Sequence, residues 1–369
     1  IAETQPPAGY IGTSATYSVT IAADLASPFR ITVPAGTFVN TLGSIRWVKN
    51  GPDGTALLGG AFFTVTPDPR DGVGTLVIAD NDVSDADPTA GEFRVNNART
   101  GTYSVQETAA PVGYILDSSP ASVTVSAATQ HPQVAVGTFV NHLGKIRWLK
   151  YGPDGQTLLG GAVFSVSPTP ATGSGSLSVG DCVTLPCNGP DKDETPGEFE
   201  IQNLPVRTYS IVETLAPAGY VLDASVLTAE ITSPMASPYT ANAGSVTNRP
   251  GTISWVKNGP NGTELLGGAI FTITPSPRTG DGTLIVGDDG DNDADKTPGE
   301  FQVTGVRVNV AGGYSIAETT PPAGYVGDTS VATVNPTTAS PDVSVAAGTW
   351  VNTLGSLAWE KRDGSGALL

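Results

Sequence analysis

The chain has 369 residues, with 45 Gly and 30 Pro, and acids outnumber bases 35 to 18 for a net charge of −17. So acidic a chain lacks the basic clusters that phosphate neutralisation needs, which excludes nucleic acid as a partner. Two histidines leave little room for histidine-based metal or acid–base sites, and no apolar run is long enough to span a bilayer.

In chain order, three blocks recur. The first reads WVKNGPDG at 47–54, WLKYGPDG at 148–155 and WVKNGPNG at 255–262, each followed by LLGGA at 57–61, 158–162 and 265–269; a diverged WEK stands at 359–361. The second reads YSVQETAAPVGY at 103–114, YSIVETLAPAGY at 209–220 and YSIAETTPPAGY at 314–325, and the chain opens inside it with IAETQPPAGY at 1–10. The third closes each unit as GTFVN at 36–40 and 137–141, GSVTN at 244–248 and GTWVN at 348–352. The period is about 100 residues, the size of one independently folding unit rather than of a short solenoid repeat.

Within the first unit, short alternating apolar runs at 45–49, 61–66, 74–78, 92–96, 102–107, 121–125 and 134–141 are separated by Gly, Pro, Asp and Asn turns. The Gly and Pro content disfavours long helices. Seven short strands per unit without helical periodicity predict an all-β fold, a tandem array of Ig-like seven-stranded antiparallel β-sandwiches. The expected boundaries are 1–41 for the tail of a repeat, 42–142, 143–249 and 250–353 for three whole repeats, and 354–369 for the head of another. A chain that starts and stops inside repeats is expected to be a piece of a longer array, with neighbouring repeats of the same long chain as its first partners.

Side chains alternate between the faces of a strand. Lys49, Lys150, Lys257 and Lys361 are thus in phase with the core-facing Ile45/Trp47, Ile146/Trp148, Ile253/Trp255 and Leu357/Trp359, and these four are more than half of the chain's seven lysines. Glu107, Glu213 and Glu318 are in phase with a core Tyr, and Asn141, Asn248 and Asn352 with Phe139, Val246 and Trp350. Burying a lone charge costs several kcal/mol, so such a set needs an explanation. One reading is a buried Lys–Glu ion pair capped by the asparagine. The other is an intramolecular isopeptide bond, in which a neutral lysine attacks the asparagine carboxamide while a protonated glutamate polarises the carbonyl and passes a proton to the departing ammonia.

W-x-K, L-x-G-A-x-F, Y-x-(I/V)-x-E-T-x-x-P-x-G-Y and V-x-N, in this order, resemble the collagen-adhesin B-type (Cna-B, or SpaA-type prealbumin-like) repeat of Gram-positive surface proteins and pilins. The resemblance implies a prealbumin-like sandwich and favours the isopeptide reading. It places the bonding pairs at Lys49/Asn141, Lys150/Asn248 and Lys257/Asn352, with Glu107, Glu213 and Glu318 as catalytic acids. Glu3 and Asn40 fall in the leading partial repeat, and Lys361 in the trailing one.

Each unit also carries an acidic loop between its third and fourth strands. Asp80, Asp82, Asp85 and Asp87 lie in the first; Asp289, Asp291, Asp293, Asp295 and Glu300 lie in the third at EF-hand-like spacing, but with Ala294 where such a loop needs glycine. The readings are a solvated acidic loop or a Ca²⁺ site. The second unit has fewer acids there and instead carries Cys182 and Cys187, expected to form a local disulfide and hence to indicate an oxidising, extracellular setting. No constellation beyond the self-reacting triad points to an enzyme. The expected role is a structural stalk of a bacterial surface pilus, fibre or adhesin, with other copies in a filament as further partners; the alternatives are a ligand-binding adhesin recognising host protein or glycan, or a phage or viral fibre.

Overall fold

The computed structural model describes residues 1–22, 32–127, 133–337 and 344–369. Each of the three repeats contributes seven strands and, among the described residues, no helix. In the first these are β1 (Gly43–Asn50), β2 (Phe62–Thr66), β3 (Leu76–Ala79), β4 (Glu92–Ala98), β5 (Gly101–Ala109), β6 (Ala121–Val125) and β7 (Gln133–Val140). The second has β8 (Gly144–Tyr151), β9 (Val163–Ser167), β10 (Leu177–Gly180), β11 (Glu198–Leu204), β12 (Arg207–Leu215), β13 (Val226–Ile231) and β14 (Thr240–Thr247). The third has β15 (Gly251–Asn258), β16 (Ile270–Thr274), β17 (Leu284–Gly287), β18 (Glu300–Val306), β19 (Tyr314–Thr320), β20 (Val331–Val334) and β21 (Ser344–Val351).

The topology repeats strand for strand. A three-stranded sheet runs β4-β1-β7, β11-β8-β14 and β18-β15-β21, and a four-stranded sheet runs β3-β2-β5-β6, β10-β9-β12-β13 and β17-β16-β19-β20. The expectation of purely antiparallel sheets needs one correction, because β1 pairs with β7, and β15 with β21, in parallel. Two strands at opposite ends of a repeat can lie parallel because the whole intervening domain acts as the crossover. That pairing also brings the lysine of the first strand beside the asparagine that follows the last.

By compactness the described residues fall into two units: Ile1–Ile146 with Gln202–Thr208 and Glu230–Ala241, and Arg147–Ile201 with Tyr209–Ala229 and Asn242–Leu369. The first holds the core of repeat one, built on Trp47, Phe63, Phe93, Tyr103 and Phe139, with Trp47 stacked on Phe93 at 5.3 Å. The second holds the core of repeat three, where Trp255 stacks on Phe301 at 5.0 Å and Trp350 meets Phe271 edge-on. It also contains the stack of Trp148 on Phe199 from repeat two. Burying aromatic groups of this size dominates the energetics of so small a sandwich.

The trailing segment departs from its expectation. Residues 355–361 form no strand, and Leu357, Trp359 and Lys361 are exposed rather than inward. A W-x-K strand is held by its two neighbours in the three-stranded sheet, and among the described residues no strand pairs with this copy.

Candidate functional site: a buried lysine, glutamate and asparagine in each repeat

Strand β1 alternates, with Ile45, Trp47 and Lys49 all buried. Lys49 sits opposite Phe139 on β7, and the main-chain bond from Asn141 N–H to the Asn50 carbonyl (3.1 Å) sets Asn141 one step beyond. The same bond joins Asn248 to Tyr151 and Asn352 to Asn258, each at 3.0 Å. A bulge between Arg46 and Trp47, where the pairing passes over Val136, puts Phe139 in core phase. The glutamate comes from the other sheet: Glu107 pairs with core Phe63, Glu213 with Phe164 and Glu318 with Phe271.

These elements converge three side chains in a dry pocket. Lys49, Lys150, Lys257, Asn141, Asn248 and Asn352 are 0% exposed, and Glu107 and Glu213 are 1% and 2% exposed. The asparagine Nδ2 donates to the glutamate at 2.7 Å (Asn141–Glu107), 3.0 Å (Asn248–Glu213) and 2.9 Å (Asn352–Glu318). The lysine Nζ stands 3.8, 3.8 and 3.5 Å from those glutamates, and in repeat three it donates to Asn352 Oδ1. A charged pair would close to about 2.7–2.9 Å. The looser spacing, in a pocket without water-facing surface, fits two neutral groups better than an ion pair.

The electrostatics agree. Burial pulls Lys49 and Lys150 from 10.5 down to about 8, against the opposing pull of Glu107 and Glu213, and lowers Lys257 as well. Burial pushes Glu107 and Glu213 up, although each faces a lysine. Desolvation outweighs the pair attraction on both sides. The carboxamide Oδ1 of Asn141 and Asn248 and the Oε1 of Glu107 and Glu213 are buried without a hydrogen-bond partner. Such orphaned atoms are costly in a finished core.

One contributor escaped the sequence reading. An aspartate three residues past the turn tyrosine joins each site: Asp117 bonds Glu107 through its backbone N–H, Asp223 N–H donates to Glu213 Oε2 at 2.9 Å, and Asp328 N–H to Glu318 Oε2 at 2.8 Å. Asp328 N–H also meets Asn352 Oδ1 at 2.9 Å, and its carboxylate accepts from Val351 N–H at 3.0 Å, tying the glutamate strand to the asparagine strand. The signal was G-Y-x-x-D at 113–117, 219–223 and 324–328. The leading partial repeat has Thr13 there, whose N–H donates to Glu3 at 3.1 Å, while Asn40 Nδ2 donates to Glu3 at 2.8 Å. Half a site is thus assembled around Glu3 and Asn40, and Lys361 is exposed elsewhere.

The acidic loops bond the backbone around them. Asp80 accepts from Gly60 and Gly91 N–H, Asp181 from Gly161 and Gly197, and Asp288 from Gly268 and Gly299. Asp85, Asp191 and Asp293 do the same for Arg94, Glu200 and Gln302, each at 2.9 Å. These carboxylates stitch the β3–β4 loop to the strands beside it. Asp82, Asp87 and Asp295 cap the backbone N–H of Val83, Thr89 and Thr297. Glu300 opens β18. Asp289 lies at φ 57°, and the ammonium of Lys296, the residue after Asp295, donates to the carbonyls of Asp289, Gly290 (just before Asp291) and Asp293. Among the described residues no three acid, His or Cys side chains converge as a metal site requires. Cys182 and Cys187 form a disulfide with Cα atoms 5.5 Å apart.

A family model described as the SpaA prealbumin-like fold domain matches residues 43–138, 144–243 and 251–348. Among solved structures, the Bacillus anthracis TIE protein is similar at 21% identity and TM-score 0.51, over 86% of this chain and 53% of that one. The chain therefore spans about half of that protein's length. The full-length major pilin SpaD from Corynebacterium diphtheriae is 15% identical at TM-score 0.37, over 86% of this chain and 98% of that one. BcpA, the major pilin subunit of Bacillus cereus, is 18% identical at TM-score 0.34, over 85% and 99%. No curated protein sequence matches.

Proposed function

The chain belongs to the SpaA prealbumin-like fold domain family, three copies in tandem, and from that premise we propose that it is a stalk segment of an extracellular pilus, fibre or adhesin, each whole repeat stapled by a self-formed Lys–Asn amide. The observation that carries this reading is the threefold recurrence, in buried pockets, of a lysine, a carboxamide and a carboxyl; burial shifts all three lysines down, and Glu107 and Glu213 up, each toward its neutral form.

The chemistry balances without a co-reactant. Neutral Lys49 Nζ adds to Cγ of Asn141, forming the C–N bond. Glu107 takes a proton from the adding amine and delivers one to Nδ2, which leaves as ammonia when the C–Nδ2 bond breaks. The product is one secondary amide plus ammonia, and it removes the penalty of a buried ionisable lysine. The folded core supplies the proximity that makes an ordinarily inert amide react. The event happens once per repeat and is maturation, not turnover.

The staple joins the first strand to the residue after the last. By the loop-entropy model a link of that span is worth about 4–5 kcal/mol, and tension entering β1 leaves through the amide without loading the other strands. The Cys182–Cys187 disulfide suits an oxidising extracellular setting. The large repeated aromatics Trp47, Trp148, Trp255, Tyr103, Tyr209 and Tyr314 are core groups, which supports a spacer over a receptor face. Stretching single molecules tests the proposal: the residues between Lys49 and Asn141 should add nothing to the extension. Unfolding of each repeat to its full length would overturn it.

A further inference from the structure

The second recurring block ends in P-x-G-Y, which the isopeptide chemistry does not use. Each copy closes a turn, with the tyrosine N–H on the proline carbonyl at 3.0 Å (Tyr10–Pro7, Tyr114–Pro111), 3.1 Å (Tyr220–Pro217) and 3.2 Å (Tyr325–Pro322). The glycine sits at φ +90°, +91°, +92° and +92° for Gly9, Gly113, Gly219 and Gly324, a conformation that side chains disfavour. Its carbonyl has a consistent use. Gly9 O accepts from Thr100 N–H at 3.0 Å, Gly113 O from Val206 N–H at 2.8 Å, and Gly219 O from Val308 N–H at 3.2 Å. All three donors lie in or just after the β4–β5 turn, or its equivalent, of the following repeat.

Two further observations mark this as a fitted contact. A Cβ on Gly219 would stand 3.0 Å from Arg307 Nε and 3.1 Å from its Cγ, and one on Gly9 would stand 3.3 Å from Arg99, whereas one on Gly113 would meet only Pro205 at 3.5 Å. Two residues on, the aliphatic side chain is sealed: Ile11, Ile115 and Val221 are 5%, 1% and 4% exposed, and Val221 packs with Val308. In the fourth copy Gly324 has nothing within 4 Å, and Val326 is 54% exposed.

We propose that P-x-G-Y-(I/V) is a docking surface for the β4–β5 turn of the next repeat, and that the copy at 322–326 is built to receive such a turn from a further SpaA-type repeat. A main-chain acceptor and one aliphatic side chain specify the joint. The donor turn can therefore vary between Arg99-Thr100, Pro205-Val206 and Arg307-Val308 without changing how successive repeats meet. The inference depends on the tandem family assignment and not on the Lys–Asn amide, so absence of the amide leaves it standing.

Amide hydrogen exchange on the intact chain tests it. In the unaltered protein Thr100, Val206 and Val308 should exchange at least tenfold more slowly than exposed turn amides; unprotected exchange at these three positions would overturn the proposal even if no variant folds. Gly219→Ala should speed exchange at Val308 at least tenfold while the β15–β21 amides keep their protection. Gly324→Ala carries the same backbone penalty without a docked partner and should leave Val308 unchanged. Equal effects from both variants, or none from Gly219→Ala, would contradict the docking role. Val326→Cys should react readily with a maleimide in this chain and at least tenfold more slowly when residues 251–353 are repeated once after Thr353; equal rates would remove the receiving surface at 322–326.

Discussion

At the scale of single residues, the telling feature is a lysine that points into a hydrophobic core. Its phase with Ile45 and Trp47 was legible from strand alternation, as were the phases of Glu107 and Asn141. The contribution of Asp117, Asp223 and Asp328 was not, because a residue that acts through its backbone N–H leaves only a faint sequence trace. Glu107→Ala removes the proton carrier and should leave Lys49 and Asn141 unlinked, so the denatured chain keeps one ammonia that the unaltered protein loses; a normal mass would contradict the role of Glu107. Asn141→Ala keeps the lysine buried but unreacted and gives a pH signature. With the folded-state value near 8 and the unfolded value near 10.5, the unfolded chain binds more protons between them, so the lysine should make stability rise with pH across that window and add no slope below it. Denaturant midpoints against pH read this directly, and a midpoint that does not move from pH 8 to pH 10 would place the lysine in solvent.

At the scale of elements, the seven strands of each repeat were legible because β-branched alternation and Gly/Pro turns agree. The parallel pairing of β1 with β7 was not, since alternation carries no direction and only tertiary packing decides it. That pairing matters most for the site, because it alone sets Lys49 beside Asn141. The acidic loops were legible as a pattern, but their backbone partners were not: the carboxylates accept from N–H groups in or beside neighbouring strands, and Lys296 donates to carbonyls of the third loop. Asp80→Ala leaves the N–H groups of Gly60 and Gly91 without their acceptor. It should cost about 1–3 kcal/mol in chemical denaturation of an Asn141→Ala background; a change below a few tenths would mean that solvent replaces the carboxylate there.

At the scale of the whole molecule, one domain design is used three times, each copy holding its own buried triad, and the proposed amide would close one covalent loop in each. The composition follows from that design. Glycine and proline mark the turns of each copy, acids stitch one loop per copy, and three of the seven lysines, Lys49, Lys150 and Lys257, occupy one inward position. Intact mass under denaturing conditions tests the central claim most directly. The account predicts a chain lighter than its sequence by three ammonia molecules, beyond the two hydrogens lost to the Cys182–Cys187 disulfide, with fragments linking Lys49 to Asn141, Lys150 to Asn248 and Lys257 to Asn352. A mass that matches the sequence less only those two hydrogens would contradict it.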